Sequence, residues 1–247
     1  MLIELWKRAA PNNRCLALPI DGTTVLRFEI QLARLMPPEG EDLKVKRYVV
    51  YQLSISQDSS TQIDSMPAKI ERRYTDFRAL HADLKKAYPN EMANIYFPNK
   101  VLMGNFSPNL IAERSSCFEA LLQHISSCSV LRDSGAFLYF LQETELAKAC
   151  QYLDERRHEL AIPLLENSFR LLNKIFMDRS KSVLLLLCRL VAACTGTAVP
   201  HQNADRWANL ALTRYETLSD IDMLALYIPL LHTCAHLWYV LFNKNNK

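Results

Sequence analysis

Two arginines and a tyrosine stand together in Glu71-Arg72-Arg73-Tyr74, where a short alternating segment gives way to a helical one. A guanidinium presents a planar fork of donors that fits phosphate oxygens, and an aromatic face suits the apolar side of a sugar-like ring. Side chains alternate along a strand, so Arg72 and Arg73 lie on opposite sides. We therefore expect only one of the two arginines to face an anion bound at this junction.

Two more cations follow downstream, at the ends of Phe97-Pro98-Asn99-Lys100 and of Ile111-Ala112-Glu113-Arg114. Lysine binds phosphate through a point charge at the end of a flexible side chain. Taken singly these residues are weak signals: an arginine pair at a strand end is usually a solvated edge, and a tyrosine there is usually packing. Only when the tyrosine and the cations of the three motifs are taken together, in their order and spacing, do they indicate a phosphate site.

The elements that must position these residues can be predicted from periodicity. Alternating apolar residues indicate two strands that form a hairpin and a short third strand that leads into a helix. A long irregular segment follows, and Ser107-Pro108 supplies an N-cap and an N1 proline for the next helix. The predicted strands are Thr24–Leu35, Lys46–Ile55 and Ala68–Arg73, and the predicted helices are Thr75–Ala87, Pro108–Ser127 and Asp133–Leu141. An antiparallel sheet beside helices is an α+β domain.

Composition divides the chain near Glu143, because four of the five glycines and eight of the eleven prolines precede it. The second part, 144–247, reads as consecutive helices, which we expect to stack as an all-α, tetratricopeptide-like (TPR-like) domain. The role of residues 1–22, an N-terminal extension, cannot be read from the sequence.

Charge and motifs exclude several classes of function. A net charge of +3 does not hold a chain to nucleic acid, and there is no glycine-rich nucleotide loop and no HExxH or GxSxG motif. Seven cysteines without a CxxC pair favour reduced cytosolic thiols. We expect no enzyme, no cofactor and no metal; His232 and His236 have zinc-compatible spacing but no further ligand, and we interpret them as polar positions on an otherwise buried helix.

The motifs around Arg73, Lys100 and Arg114 resemble the signatures of the PX (phox-homology) domain, and the resemblance covers about residues 23–143. It implies an α+β fold with a three-stranded antiparallel sheet and binding of phosphatidylinositol 3-phosphate. By position, Arg73 takes the 3-phosphate and the Tyr74 ring packs against the inositol. Arg72, on the opposite side of the strand, is then structural or a peripheral contact. Lys100 meets the 1-phosphate, and Arg114 meets the ring hydroxyls.

The segment after Lys100 resembles the membrane-inserting loop of the same family. Val101, Leu102 and Met103 are its candidate inserting residues. Burying one such side chain contributes about 1.5–3 kcal/mol, so two or three would lengthen membrane residence. The alternative is that the segment packs under the next helix, with Phe106 forming a hydrophobic staple before Ser107.

A PX domain followed by about a hundred helical residues resembles the sorting nexins that carry a TPR-like PXB domain. This architecture implies a peripheral adaptor on the cytosolic face of early endosomes, whose helical domain recruits a protein partner or cargo on a face that the sequence does not identify. Two alternatives stay open. One is a soluble scaffold whose PX fold does not bind lipid, and the other is a tail-anchored protein, since Met223 to Phe242 carries no formal charge.

Overall fold

The computed structural model describes residues 24–37, 47–59, 64–101, 103–176, 180–197, 200–216 and 221–245. The N-terminal extension 1–22 and Leu102 lie outside these ranges. The described residues form two compact units: a sheet unit, 24–141, and a helical unit, 142–245.

The sheet unit contains the predicted three-stranded antiparallel sheet, in the order β1-β2-β3. The strands are β1 (Thr24–Met36), β2 (Tyr48–Ser59) and β3 (Ala68–Arg73). The pairing of β1 with β2 shifts by one residue between Ile30 and Leu32, which marks a β-bulge. The Ile30 N–H donates to the Glu119 carboxylate at 2.6 Å, so a helix side chain satisfies a backbone donor at the bulge.

Helices α1 (Tyr74–Ala87) and α2 (Pro108–Ser127) begin and end close to where the sequence predicts them. The Asp76 carboxylate accepts a bond from the Arg73 N–H at 2.7 Å and caps the start of α1. The Ser107 hydroxyl accepts from the Leu110 N–H at 3.3 Å and caps α2. These two caps fix where the helices adjacent to the candidate site begin.

The prediction of a short helix ending at Leu141 was wrong. A four-residue helix, α3 (Ser129–Arg132), is followed by a long helix, α4 (Gly135–Asp154), which continues without a break past Glu143. Composition changes here, but no proline or glycine between residues 136 and 154 interrupts the backbone. The two compact units divide at Leu141, inside this helix.

Stacked aromatic rings form the core of the sheet unit. Phe77 of α1 and Phe118 of α2 lie almost parallel, with ring centroids 3.9 Å apart. Tyr51 of β2 meets Phe118 edge-on at 5.1 Å, and Phe97 lies 5.7 Å from it. The three segments that carry the candidate site residues are therefore packed on one rigid cluster.

The described residues from 142 to 245 are mostly helical, as predicted. After the end of α4 this unit contains α5 (His158–Phe176), α6 (Lys181–Thr195), α7 (Ala204–Glu216) and α8 (Ile221–Asn245). Helix α6 is buried on nearly every side and packs against the other three. The Trp207 indole donates to the Glu166 carboxylate at 2.9 Å and joins α7 to α5. TPR-like stacking of these helices stays a prediction.

The interpretation of His232 and His236 as polar positions on a buried helix was wrong, because α8 exposes one face and both imidazoles lie on it. Throughout the described ranges, no group of three His, Cys, Asp or Glu side chains is arranged to hold a metal ion. Within the same part of the chain, no helix has the length and apolar character needed to cross a membrane.

Candidate functional site

Tyr74 joins the strand–helix junction to the loop that precedes Lys100. It is the first residue of α1, and its hydroxyl donates to the Pro98 carbonyl at 2.9 Å. Its ring lies 5.7 Å from the Phe97 ring. Because Pro98 is buried, this bond fixes the position at which the chain emerges toward the exposed Lys100.

Arg114 lies on the second turn of α2 with only 3% of its surface exposed. Its guanidinium carbon is 4.2 Å from the centroid of the Tyr74 ring, within the range of a cation–π contact. Its Nη2 donates to the Asn105 Oδ1 at 3.1 Å, whereas its Nε–H has no hydrogen-bond partner among the described residues. Because a guanidinium carries five N–H donors, Arg114 has others that can donate to a ligand oxygen.

The charge of Arg114 also reaches the neighbouring β2. Burial raises the pKa of the Tyr51 hydroxyl, and the nearby Arg114 charge opposes that rise. Tyr51 therefore stays neutral at physiological pH and adds no negative charge to compete with an anionic ligand.

Arg73 is the N-cap residue of α1, and its side chain is exposed. The guanidinium carbon lies 3.4 Å from the centroid of the Tyr48 ring at the start of β2. Val50 is the residue opposite Arg73 in the β2–β3 ladder, so Tyr48 is its diagonal neighbour. Sequence reasoning missed Tyr48; the pairing register would have been needed to find it.

Asn105 is a second residue that the sequence did not single out. Besides accepting from Arg114, its Nδ2 donates to the Val101 carbonyl at 2.9 Å. Gly104, just before it, has a φ of +76°, a conformation that favours glycine, and its carbonyl accepts from the Ser107 N–H at 3.0 Å. One side chain thus connects the loop after Lys100 to the buried guanidinium.

That loop contains the three candidate inserting residues. Met103 is 88% exposed and Val101 is half-buried, while Leu102 lies outside the described residues. Phe106, the candidate staple residue, is exposed as well. Insertion of this loop into a membrane stays a prediction.

Arg72 faces the opposite side of β3 from Arg73 and is almost completely buried. Its Nε donates to the Phe140 carbonyl at 2.7 Å and its Nη2 to the Leu141 carbonyl at 3.1 Å. Arg72 therefore links β3 to α4 and is structural.

The structure brings Tyr74, Arg114 and the loop leading to Lys100 into one cluster, and Arg73, next to Tyr74 in the chain, stacks on the Tyr48 ring. Three parts of the chain contribute to this cluster: residues 73–74, residues 97–101 with Asn105, and Arg114. Cationic donors, one of them buried, and aromatic faces make it suited to an anionic, hydroxylated ring.

Comparisons with known proteins identify the class of this fold. A family model for the PX domain matches residues 61–144. The solved structure of a designed CISK-PX domain is similar over 46% of this chain and 96% of its own, at 23% identity and a TM-score of 0.36. By the family match, its three-stranded sheet and the helices that follow, the sheet unit is a PX domain.

Relatives found by sequence give a narrower classification than the match to the PX domain alone. Sorting nexin-20 of Bos taurus is 31% identical over 219 residues, which is 87% of this chain and 65% of the relative. Sorting nexin-21 of Homo sapiens is 33% identical over 148 residues, which is 59% of this chain and 37% of the relative. The chain is therefore a homologue of sorting nexins 20 and 21, and it matches less than two thirds of the length of these relatives.

Proposed function

We propose that this protein is a peripheral membrane adaptor of endosomal trafficking whose PX domain binds phosphatidylinositol 3-phosphate. The observation that carries the proposal is the position of Tyr74, which contacts both the buried Arg114 and the loop leading to Lys100. Tyr74 thereby holds Arg114 of α2 and the loop before Lys100 next to the start of α1, where Arg73 lies.

Each residue has a role that its environment supports. Arg73 is exposed and held over Tyr48, so its planar fork is oriented for the 3-phosphate. Lys100 is exposed on its loop and suits the 1-phosphate, which continues to the lipid tails. Arg114 holds its guanidinium beside the Tyr74 ring, where its N–H donors suit ring hydroxyls, and Tyr74 packs against the inositol ring.

Membrane contact in this proposal has two components. The headgroup binds the cationic cluster, and Val101, Leu102 and Met103 enter the apolar layer. The strong exposure of Met103 next to Lys100 supports the second component. The helical domain then recruits a protein partner or cargo on early endosomes, and the two weak contacts reinforce each other through effective concentration.

The test is sedimentation of the chain with vesicles across a phosphoinositide panel. Arg73→Ala and Lys100→Ala should each lower affinity for phosphatidylinositol 3-phosphate about tenfold, the cost of losing a charge-assisted phosphate contact. The matched control is Lys86→Ala, because Lys86 is exposed in the last turn of α1, about 18 Å along the helix from Tyr74.

A second pair of variants separates loop insertion from headgroup binding. Met103→Asp should weaken vesicle binding about tenfold while leaving affinity for a soluble short-chain lipid unchanged. Met66→Asp is the control, because Met66 is 58% exposed but lies beyond the far end of β3, roughly 23 Å along the chain from Arg73. Wild type that ignores every lipid would instead support the scaffold with a PX fold that does not bind lipid.

A further inference from the structure

Helix α8 exposes an apolar stripe that no other described element covers. We use the name α8 stripe for the residues Ile228, Leu231, Ala235, Trp238, Tyr239 and Phe242. They recur at spacings of three and four and so share one helix face. The five large side chains among them are 37–74% exposed, whereas Leu230, Cys234 and Leu237 on the opposite face are buried.

The α8 stripe is uncharged and partly preorganised. No Asp, Glu, Lys or Arg occurs between Met223 and Asn243. The Trp238 indole N–H donates to the Asp205 carboxylate of α7 at 2.7 Å, which fixes the orientation of this large ring. An ordered aromatic anchor loses little side-chain entropy when a partner covers it.

Five of the six residues of the α8 stripe are placed symmetrically about Ala235, and Trp238, whose counterpart in such a pair is His232, is the exception. In an antiparallel pair of α8 helices centred on that residue, Ile228 would meet Phe242, and Leu231 would meet Tyr239. Ala235 would meet its own copy at the axis, where a small side chain lets the two backbones approach closely. Such an arrangement is isologous, because the same patch serves both partners.

The exposed area is sufficient for a specific interface. Three aromatic and two aliphatic side chains at these exposures present roughly 600 Å² per copy. Two copies would together bury roughly 1,200 Å², which is the lower limit for specific interfaces. The roughly 600 Å² on each copy lies at the upper end of the apolar patches that monomers usually expose. Besides the apolar side chains, such an interface would contain the exposed His232 and His236 and the Asp205 carboxylate that accepts from Trp238.

We propose that the α8 stripe is a two-fold interface that joins two copies of this chain. The proposal does not depend on lipid binding by the PX domain. If both hold, a dimer would present two headgroup sites to one membrane, and its residence there would exceed that of a single site.

Sedimentation velocity of the 247-residue chain over a series of concentrations provides the first test. We expect a species of twice the 28.4-kDa chain mass whose population rises with protein concentration, because apolar side chains supply most of the contact area. Tyr239→Glu should raise the dissociation constant at least tenfold. Tyr139→Glu is the matched control, since Tyr139 of α4 is 65% exposed and Tyr239 is 67% exposed.

Cross-linking tests the geometry. Ala235→Cys should give a disulfide-linked dimer under mild oxidation, because the two copies of residue 235 face each other at the axis. Asn209→Cys, at an exposed position on α7, should form no more dimer than wild type. A chain that stays monomeric at every concentration, or an Ala235→Cys variant that cross-links no better than Asn209→Cys, overturns the proposal and leaves the stripe to another partner or to a membrane. A Tyr239→Glu variant that dimerises as well as Tyr139→Glu also overturns it.

Discussion

The guanidinium of Arg114 lies over the ring of Tyr74, with 4.2 Å between the guanidinium carbon and the ring centroid. These residues belong to two helices separated by a long irregular segment, and their contact adds to the stacking of Phe77 on Phe118 between the same helices. The Tyr74 hydroxyl extends the connection to the Pro98 carbonyl. A ligand held by this cluster would therefore contact a preorganised surface.

Arg114→Lys should reduce affinity for a soluble short-chain phosphatidylinositol 3-phosphate about tenfold. Lysine keeps the charge but loses the planar fork, the stacking on Tyr74 and the geometry that also reaches Asn105. Isothermal titration calorimetry measures the change. Arg206→Lys is a suitable control because Arg206 lies over an aromatic ring, that of Trp207, in the helical unit. Equal affinities of the Arg114→Lys variant and wild type would remove Arg114 from the site.

Tyr48→Leu should lower the same affinity about twofold to fivefold. An exposed cation–π contact contributes about 0.5–1 kcal/mol, and its loss leaves the Arg73 side chain free to sample other rotamers. Tyr139→Leu removes a similarly exposed tyrosine from α4 and should leave lipid affinity unchanged. If Tyr48→Leu binds as tightly as wild type, the stacking does not orient Arg73 for the ligand.

Neighbouring residues on β3 should give opposite results. Arg72→Ala should reduce the free energy of unfolding by about 2–4 kcal/mol, because it removes charge-assisted bonds to two carbonyls of α4 and leaves a cavity. Arg73→Ala should change stability little and lipid affinity strongly. Urea denaturation and vesicle binding of the two variants check this. A stable Arg72→Ala protein with impaired lipid binding would mean that the two roles are reversed.

Local signals account for the parts of the fold that could be predicted. The alternation in β3, the start of α1 after Arg73 and the Ser107 cap of α2 each depend on a few adjacent residues. Helix α4 was mispredicted because composition changes near Glu143 whereas the backbone has no signal to stop there. The exposed face of α8 was missed for a related reason: an apolar helix without formal charge is typical of a buried one, and only packing reveals the uncovered side.

The candidate site likewise contains some residues that motifs predict and others that only the tertiary structure reveals. The positions of Arg73, Tyr74, Lys100 and Arg114 could be proposed from motifs, but Tyr48 and Asn105 could not. Tyr48 reaches Arg73 through the register between two strands, and Asn105 reaches Arg114 through the path of an irregular loop. Both depend on tertiary contacts that leave no periodic signal in the sequence.

Asn105→Ala should weaken binding to soluble lipid and to vesicles together. The alanine variant loses the bond to the Val101 carbonyl and leaves the buried Arg114 without its side-chain acceptor. We expect a decrease of about threefold to tenfold in both assays, whereas Met103→Asp should affect vesicles alone. Asn209→Ala, an exposed asparagine of α7, serves as the control. A decrease confined to vesicles would indicate that Asn105 shapes only the inserting loop.

His81 should make the stability of the chain depend on pH. Its ring stacks on the Phe97 ring, with 4.8 Å between the centroids. Burial lowers the pKa of His81 below its ordinary value of 6.5, and the nearby Lys85 charge lowers this pKa further. A backbone hydrogen bond at Ile95 acts in the opposite direction. Since the unfolded chain then takes up a proton before the folded one, stability is lost as the pH falls below about 6.5.

The melting temperature should accordingly fall less between about pH 7 and pH 5 in His81→Gln than in wild type. His232→Gln, at an exposed position on α8, should leave the wild-type decrease unchanged. Differential scanning fluorimetry at the two pH values measures both effects. An equal decrease in wild type and His81→Gln would show that the acid sensitivity of this chain arises elsewhere.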